Sequence, residues 1–193
     1  MPLFRTDHCR SFLAHWQSLR VGGAIPTLKD YLGKPHPILQ PNVAIKDVIG
    51  PGHLNVRLFG THLVEVAGVD PTGQNLMVFA GGPAMADELF RYQNAVATHP
   101  AGLASVKRAA TAGGRTISFE DVELPLTPFP GGPPCLVCCL GFVEVLDYKD
   151  KMFKLLAHTS IHWIDVGWGV PAPAEAPAAR SDAPAARSEA GKA

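Results

Sequence analysis

Residues 56–79, VRLFGTHLVEVAGVDPTGQNLMVF, constrain the fold more than any other stretch of the chain. Val56 and Leu58 alternate with Arg57 and Phe59, the two-residue period of a strand. Gly60 breaks that period. Thr61 follows as a candidate cap, because a hydroxyl there can accept from a free N–H of a first helical turn. Leu63, Val64, Val66 and Ala67 then fall on one side of a short helix. Gly68 suits the left-handed residue that ends such a helix. In Asp70-Pro71-Thr72-Gly73 the residue types match the preferences of a type I turn. A strand, a one-turn break, a short helix and a second tight turn in immediate succession leave few architectures open.

The motif RLFGTHLVEVAGVDPTG resembles the PAS domain, specifically a PAS-like family common in alphaproteobacteria, through Gly60, Thr61, Gly68, Asp70 and Gly73. The resemblance extends over about residues 12–147. FLAHWQSLRVGGAIP is similar to that family's N-terminal helix and following proline, ILQPNVAIKDV to its first strand, and ISFEDVELPLTP to its penultimate strand. The resemblance implies an α+β fold. A five-stranded antiparallel sheet would be covered on one face by short helices and one longer helix, preceded by an amphipathic N-terminal helix.

The rest of the chain can be read on its own residues. Residues 7–20 carry Phe12, Trp16 and Leu19 at helical spacing, with Asp7 as a candidate cap. That apolar face suits either the domain's own sheet or a second copy of the chain. Four prolines between residues 24 and 41 rule out a long helix, leaving an extended connector with a short turn at 27–32. Residues 42–49 and 53–59 read as a hairpin across Gly50-Pro51-Gly52.

Pro83 suits a first helical position, with Asp87 and Glu88 toward the positive end of the helix dipole. Met85, Leu89, Tyr92 and Val96 give the helix 83–98 one apolar face. Residues 102–110 and 115–126 are strand candidates joined by Ala112-Gly113-Gly114. In the second, Ile117 and Phe119 share one parity while Val122, Leu124 and Leu126 share the other. That phase change predicts a bulge at 120–122. Residues 135–146 are apolar on both parities, as in a strand covered on both faces. Helix 7–20 and the segment 152–170 are the candidates for covering the second face. The latter reads as a helical turn or a strand and is expected to be ordered, because exposing Ile161, Trp163, Ile164 and Trp168 together would leave an unusual apolar patch. Whether it packs internally or against another chain is open.

These readings divide the chain into an N-terminal helix (1–23), a PAS-like domain (24–148), an ordered extension (149–170) and an Ala/Pro-rich tail (171–193). The tail contains the near-repeat PAARSDAPAARSEA, is too poor in large apolar residues to form a core, and is expected to be disordered. Lys plus Arg and Asp plus Glu each number 17, which gives no argument for nucleic acid. No apolar run reaches the roughly 18 residues of a membrane span, and the N-terminus lacks a signal-peptide core. The expected location is the cytoplasm.

Little of the sequence points to chemistry. Cys135, Cys138 and Cys139 lie in CLVCC, but a strand sends Cys138 to the face opposite the other two, so they read as buried core thiols. A haem-binding PAS domain usually offers a ligand from its long helix or a neighbouring loop, and helix 83–98 has no histidine. His62 and His99 are the remaining metal candidates. Asp121 and Glu123 share a strand face and read as solvated. No catalytic residue is expected, and Asp70 reads as a turn former. By the resemblance, a pocket beneath the long helix would draw on Val56, Leu58, Leu63, Val66, Leu76, Phe79, Leu89, Tyr92 and Val96; the same residues would also fill an ordinary core.

The expected function is a non-enzymatic sensory module acting through ligand- or partner-dependent protein contacts. A homodimer through the N-terminal helix, a regulatory partner protein and a small apolar ligand are the expected associations. Haem or another small cofactor, or an enzyme using the pocket, are the alternatives.

Overall fold

The computed structural model describes residues 3–143 and 151–171. Four α-helices and six strands follow in the order α1 (Asp7–Ser18), α2 (Leu28–Gly33), β1 (Val43–Gly50), β2 (His53–Phe59), α3 (Thr61–Ala67), α4 (Pro83–Thr98), β3 (Gly102–Thr111), β4 (Thr116–Leu126), β5 (Cys135–Phe142) and β6 (Met152–Ile164). Short 3₁₀ turns lie at Gln40–Asn42 and Leu76–Phe79. The strands form one antiparallel sheet in the order β2-β1-β5-β4-β3-β6. The fold is therefore α+β, and β5 sits inside the sheet, as its two-sided apolar pattern requires.

The sheet has six strands where five were expected. The added strand is β6, which pairs along β3 from Gly102↔Ile164 to Thr111↔Met152. It satisfies backbone donors and acceptors that β3 would otherwise present at an open edge. The segment 152–170 is thus strand in its first part.

The second face of the sheet is covered chiefly by α1. Phe12 and Trp16 are fully buried against Val43, Ile45, Val122, Leu124, Val137 and Cys139, and Val166 joins the same cluster. Trp16 Nε1 donates to the Pro125 carbonyl at 3.0 Å. The apolar face of α1 is therefore spent within the chain. Its start is held down by Glu120, whose carboxylate accepts from Arg5 N (2.8 Å), Thr6 N (2.9 Å) and Thr6 Oγ1 (2.7 Å). Thr6, not Asp7, caps the helix, accepting from Cys9 N. Gly141 lies under Thr6, where any Cβ would collide with that side chain.

The expected bulge at 120–122 is absent. Strand β4 pairs residue for residue with β3 from Leu103↔Glu123 to Ala110↔Thr116, and with β5 from Phe119↔Phe142 to Leu126↔Cys135. The phase change arises because both faces are buried and each carries polar residues at a different place. Ile117, Phe119, Asp121 and Glu123 share one face. Glu120, Val122, Leu124 and Leu126 share the face toward α1. A bulge does occur between β1 and β2, where Ile45 pairs with Leu58 but Lys46 pairs with Val56, leaving Arg57 unmatched.

Two further local expectations shift. Gly60 is the N-cap of α3 and Thr61 begins the helix without a side-chain cap bond. The turn after α3 lies one residue later than expected: Gln74 N donates to Pro71 O, Gly73 has φ 78°, and Asp70 Oδ1 accepts from Thr72 N at 3.0 Å. Gly68 ends α3 at φ 76°, the left-handed conformation anticipated for it. Asp87 and Glu88 lie beyond the first turn of α4. Of the tail, residues 172–193 fall outside the described residues, as do residues 144–150.

Candidate functional site

The face opposite α1 carries α3, the turn Leu76–Phe79 and α4, and beneath them lies a cavity of about 70 Å³. Its walls are mostly apolar: Val56 and Phe59 from β2, Ala44 from β1, Leu76 and Phe79 from the turn, Leu89 from α4, Phe119, Cys138 and Leu140 from the sheet, and Leu155 from β6. The bulge at Arg57 explains why Val56 and Phe59 both face inward. Beyond it the strand changes phase, and Leu58 turns to the opposite face and packs with the α1 cluster. Of the residues the sequence suggested for this pocket, Val56, Leu76, Phe79 and Leu89 line it. Leu63 packs in the adjoining cluster with Met85 and Leu89, while Tyr92 and Val96 pack with Leu54 and Leu103. Val66 is buried without lining the cavity.

The sequence reading did not anticipate the other side of this cavity. Lys46, Lys107 and Asp121 line it together with Gln93 of α4, and Glu123 lies directly behind. All five are at most 3 % exposed. Lys107 Nζ donates to Asp121 Oδ2 at 2.5 Å and to Glu123 Oε1 at 2.8 Å. Gln93 Nε2 donates to the same Glu123 oxygen at 3.1 Å, and Lys46 Nζ stands 3.7 Å from it. Two ammonium groups and two carboxylates balance in charge. Their pairing offsets a desolvation cost of several kcal/mol per ion.

The protonation of these groups follows from burial and pairing. Desolvation raises the Asp121 carboxyl to about 6, only partly opposed by Lys107. Desolvation works on Glu123 in the same direction, but Lys107 and Lys46 outweigh it and hold that carboxyl below its ordinary value. Burial by itself would lower Lys107; Asp121 and Glu123 reverse this and raise it. Asp121 and Glu123 also hydrogen-bond each other, which favours a proton on Asp121, and Gln93 Oε1 has no hydrogen-bond partner.

At the β6 side of the cluster, His158 pairs across the sheet with Lys107. Burial, then the nearby Lys107, lower its imidazole to about 3. The neutral ring donates from Nδ1 to Glu88 Oε1 of α4 at 3.0 Å and meets the Tyr92 ring edge-on at 5.1 Å. Two side chains of α4, Gln93 and Glu88, are thus tied to buried polar groups of the sheet.

The remaining candidates sit elsewhere. His62 is half-exposed, 3.4 Å from Glu65 and edge-on to Phe142; His99 caps α4 through its backbone N–H. Neither lines the cavity, and among the described residues no group of three or more His, Cys, Asp or Glu is placed to hold a metal. A pocket for a drug-sized or larger cofactor runs to roughly 300–1,000 Å³. At about 70 Å³ this one does not fit haem. Cys135 and Cys139 face the α1 side and Cys138 the cavity side. Burial raises the thiols of Cys135 to about 11 and Cys138 to about 12.

One signal for the cluster was present in the sequence. Asp121 and Glu123 share parity with Ile117 and Phe119, and Lys46 with Ala44 and Val48, so each charged residue sits on an otherwise apolar face.

Among known families, the PAS domain matches residues 5–141. Solved structures with similar folds include the light state of the Aureochrome1 LOV domain, at 18% identity over 55% of this chain and 84% of that one, TM-score 0.40. The PAS domain of Bordetella pertussis BvgS is 19% identical over 60% of this chain and 88% of that one, TM-score 0.42. A Rhodobacter sphaeroides LOV protein is 15% identical over 56% and 62%, TM-score 0.42. No curated protein matches the chain. No helix among the described residues is long and apolar enough to cross a membrane.

Proposed function

The chain belongs to the PAS domain family, and from that membership we propose that it is a non-enzymatic sensory module whose cavity reports its contents through α4. The observation that carries this reading is the pair of polar ties, Gln93 to Glu123 and Glu88 to His158, that join α4 to the buried face of the sheet. An occupant that displaces or reinforces the Gln93 tie, the one that lines the cavity, shifts the packing of α4. The shift changes the affinity of the outer surface for another protein, provided that the occupant binds the two arrangements differently. Catalysis is disfavoured because Asp121 and Glu123, the two carboxylates beside the cavity, are already engaged by Lys107. The expected setting is the cytoplasm, with a regulatory protein as partner. Any homodimer contact through α1 uses its outer face, since the inner face is buried on the sheet.

Ala44→Met tests the reading by filling the cavity from β1 without touching the polar ties. Amide exchange of residues 83–98 is expected to change at least severalfold relative to wild type, together with the yield of any co-purifying protein. Unchanged exchange along α4 in a folded variant rejects the coupling.

A further inference from the structure

We propose that the cavity excludes water and receives an uncharged apolar molecule of at most about three heavy atoms, the class of dissolved gases that includes dioxygen. This rests on the reading of the cavity as the sensory pocket and names the class of molecule that such a pocket selects.

Size is the first constraint. A dry cavity of about 150 Å³ accepts benzene. On that scale the roughly 70 Å³ here holds about half as many heavy atoms. Flavins, haem and ordinary metabolites are all far larger.

The polar residues at the wall are turned toward one another and away from the space. Lys107 Nζ donates to Asp121 and Glu123, Gln93 Nε2 donates to Glu123, and the two acids bond each other. Asp121 Oδ1, Glu123 Oε2 and Gln93 Oε1 each expose less than 1 Å². No occupant reaches these oxygens. A buried water needs about two to four polar partners, and with the acceptors withdrawn it finds too few. The cavity is therefore dry in spite of the charges behind it.

The same cluster rejects ions. Lys46 and Lys107 already balance Asp121 and Glu123, so a ligand ion would add a full unpaired charge at low dielectric.

What remains is a small apolar molecule. Phe59, Phe79, Leu89 and Leu155 face the space, and each loses dispersion contacts while it stays empty. A gas molecule restores those contacts without losing hydrogen bonds to solvent. Leu89 belongs to α4, so the occupant bears on that helix directly.

The test is nuclear magnetic resonance of the full chain under dioxygen and, separately, xenon pressure. Dioxygen is paramagnetic and speeds the relaxation of nuclei that it touches. The expected result is severalfold greater enhancement at Leu89, Leu155 and Ala44 than at Val137 and Leu124, which are equally buried on the α1 face. Xenon should give saturable shifts at the same cavity residues. Ala44→Met, or the milder Ala44→Val if the first does not fold, should remove most of both effects. Equal enhancement on the two faces overturns the proposal, as does a long-lived water exchanging magnetisation with the amides of Ala44 or Cys138. Enhancement undiminished in a folded Ala44 variant also overturns it. Gas binding without any change in amide exchange along α4 sustains the proposal and rejects the sensory coupling. Absent gas binding, with altered α4 exchange in Ala44→Met, does the reverse.

Discussion

Lys107→Met is the most discriminating perturbation of the buried cluster. It removes the ammonium that donates to Asp121 at 2.5 Å and Glu123 at 2.8 Å while nearly preserving side-chain length. The remaining cation, Lys46, stands 3.7 Å from Glu123. Two carboxylates, each at most 2 % exposed, would then share one distant counter-ion. Removing one partner of a buried pair costs about 3–5 kcal/mol, because the other charge is left uncompensated. For a domain of this size about 1 kcal/mol lowers Tm by roughly 2–4 °C, so a fall on the order of 10 °C is expected. Urea unfolding followed by tryptophan fluorescence measures the loss. Adding Asp121→Asn to Lys107→Met leaves one carboxylate, Glu123, facing one ammonium, Lys46, and should recover more than half of it, since the cost lies in the unpaired ion and not in the lost methylenes. A loss of under about 1 kcal/mol for the single variant would show that water reaches these groups and screens them, as at exposed ion pairs. Equal destabilisation of the single and double variants would refute the electrostatic account in favour of a packing one.

Three further outcomes follow from the same geometry. The Asp121 carboxyl is raised by burial from 3.8 to about 6, so the folded state holds that proton more tightly than the unfolded chain. This contribution to stability is present below about pH 4 and lost as pH rises through 6. His158, lowered to about 3, works in the opposite sense, losing stability as pH falls below 6.5. Asp121→Asn should therefore leave a stability profile that rises more steeply between pH 4 and 6 than that of wild type, and identical slopes in urea titrations would contradict it. Trp16→Ala should cost about 3–5 kcal/mol in the same assay, because it empties a fully buried site on the α1 face; a loss under 1 kcal/mol would mean α1 does not cover the sheet. The thiols of Cys9, Cys135, Cys138 and Cys139 are buried and raised, so native protein at pH 8 should react with a disulfide reagent only at the rate of opening; a fast-reacting thiol would contradict their placement.

Much of the scaffold was legible because it rests on local rules. Pro83 at the first turn of α4 and Gly68 at the end of α3 act through backbone geometry that their own chemistry dictates. The amphipathic period of α1 was equally plain, but what covers its face depended on a long-range contact. Only the fold brings Glu120 under Thr6, 114 residues away, to settle that α1 lies on its own sheet. The sixth strand was illegible for a similar reason. Its pairing with β3 shifts register three times, which blurs any two-residue period along residues 152–164.

The error over Asp121 and Glu123 is more instructive, because the pattern itself was seen and given the wrong cause. Charged residues on an apolar strand face were read as a change of phase with a solvated edge. That inference assumes that a charge on a strand seeks water. In an interior strand it cannot reach water on either side, so the charge must instead find its opposite on a neighbouring strand. Lys46, on an otherwise apolar face of β1, and Lys107, between Ser105 and Ala109 on β3, are those opposites, and the acids lie on β4 between them. A cluster assembled from three strands is invisible to any one-dimensional window. Yet its members can be found by asking which charged residues share parity with a strand's largest buried side chains. Replacing such a cluster with apolar residues is often neutral or stabilising in other proteins. The structure therefore gives no stability reason to place it beside a cavity and beneath a helix bound to it through Gln93.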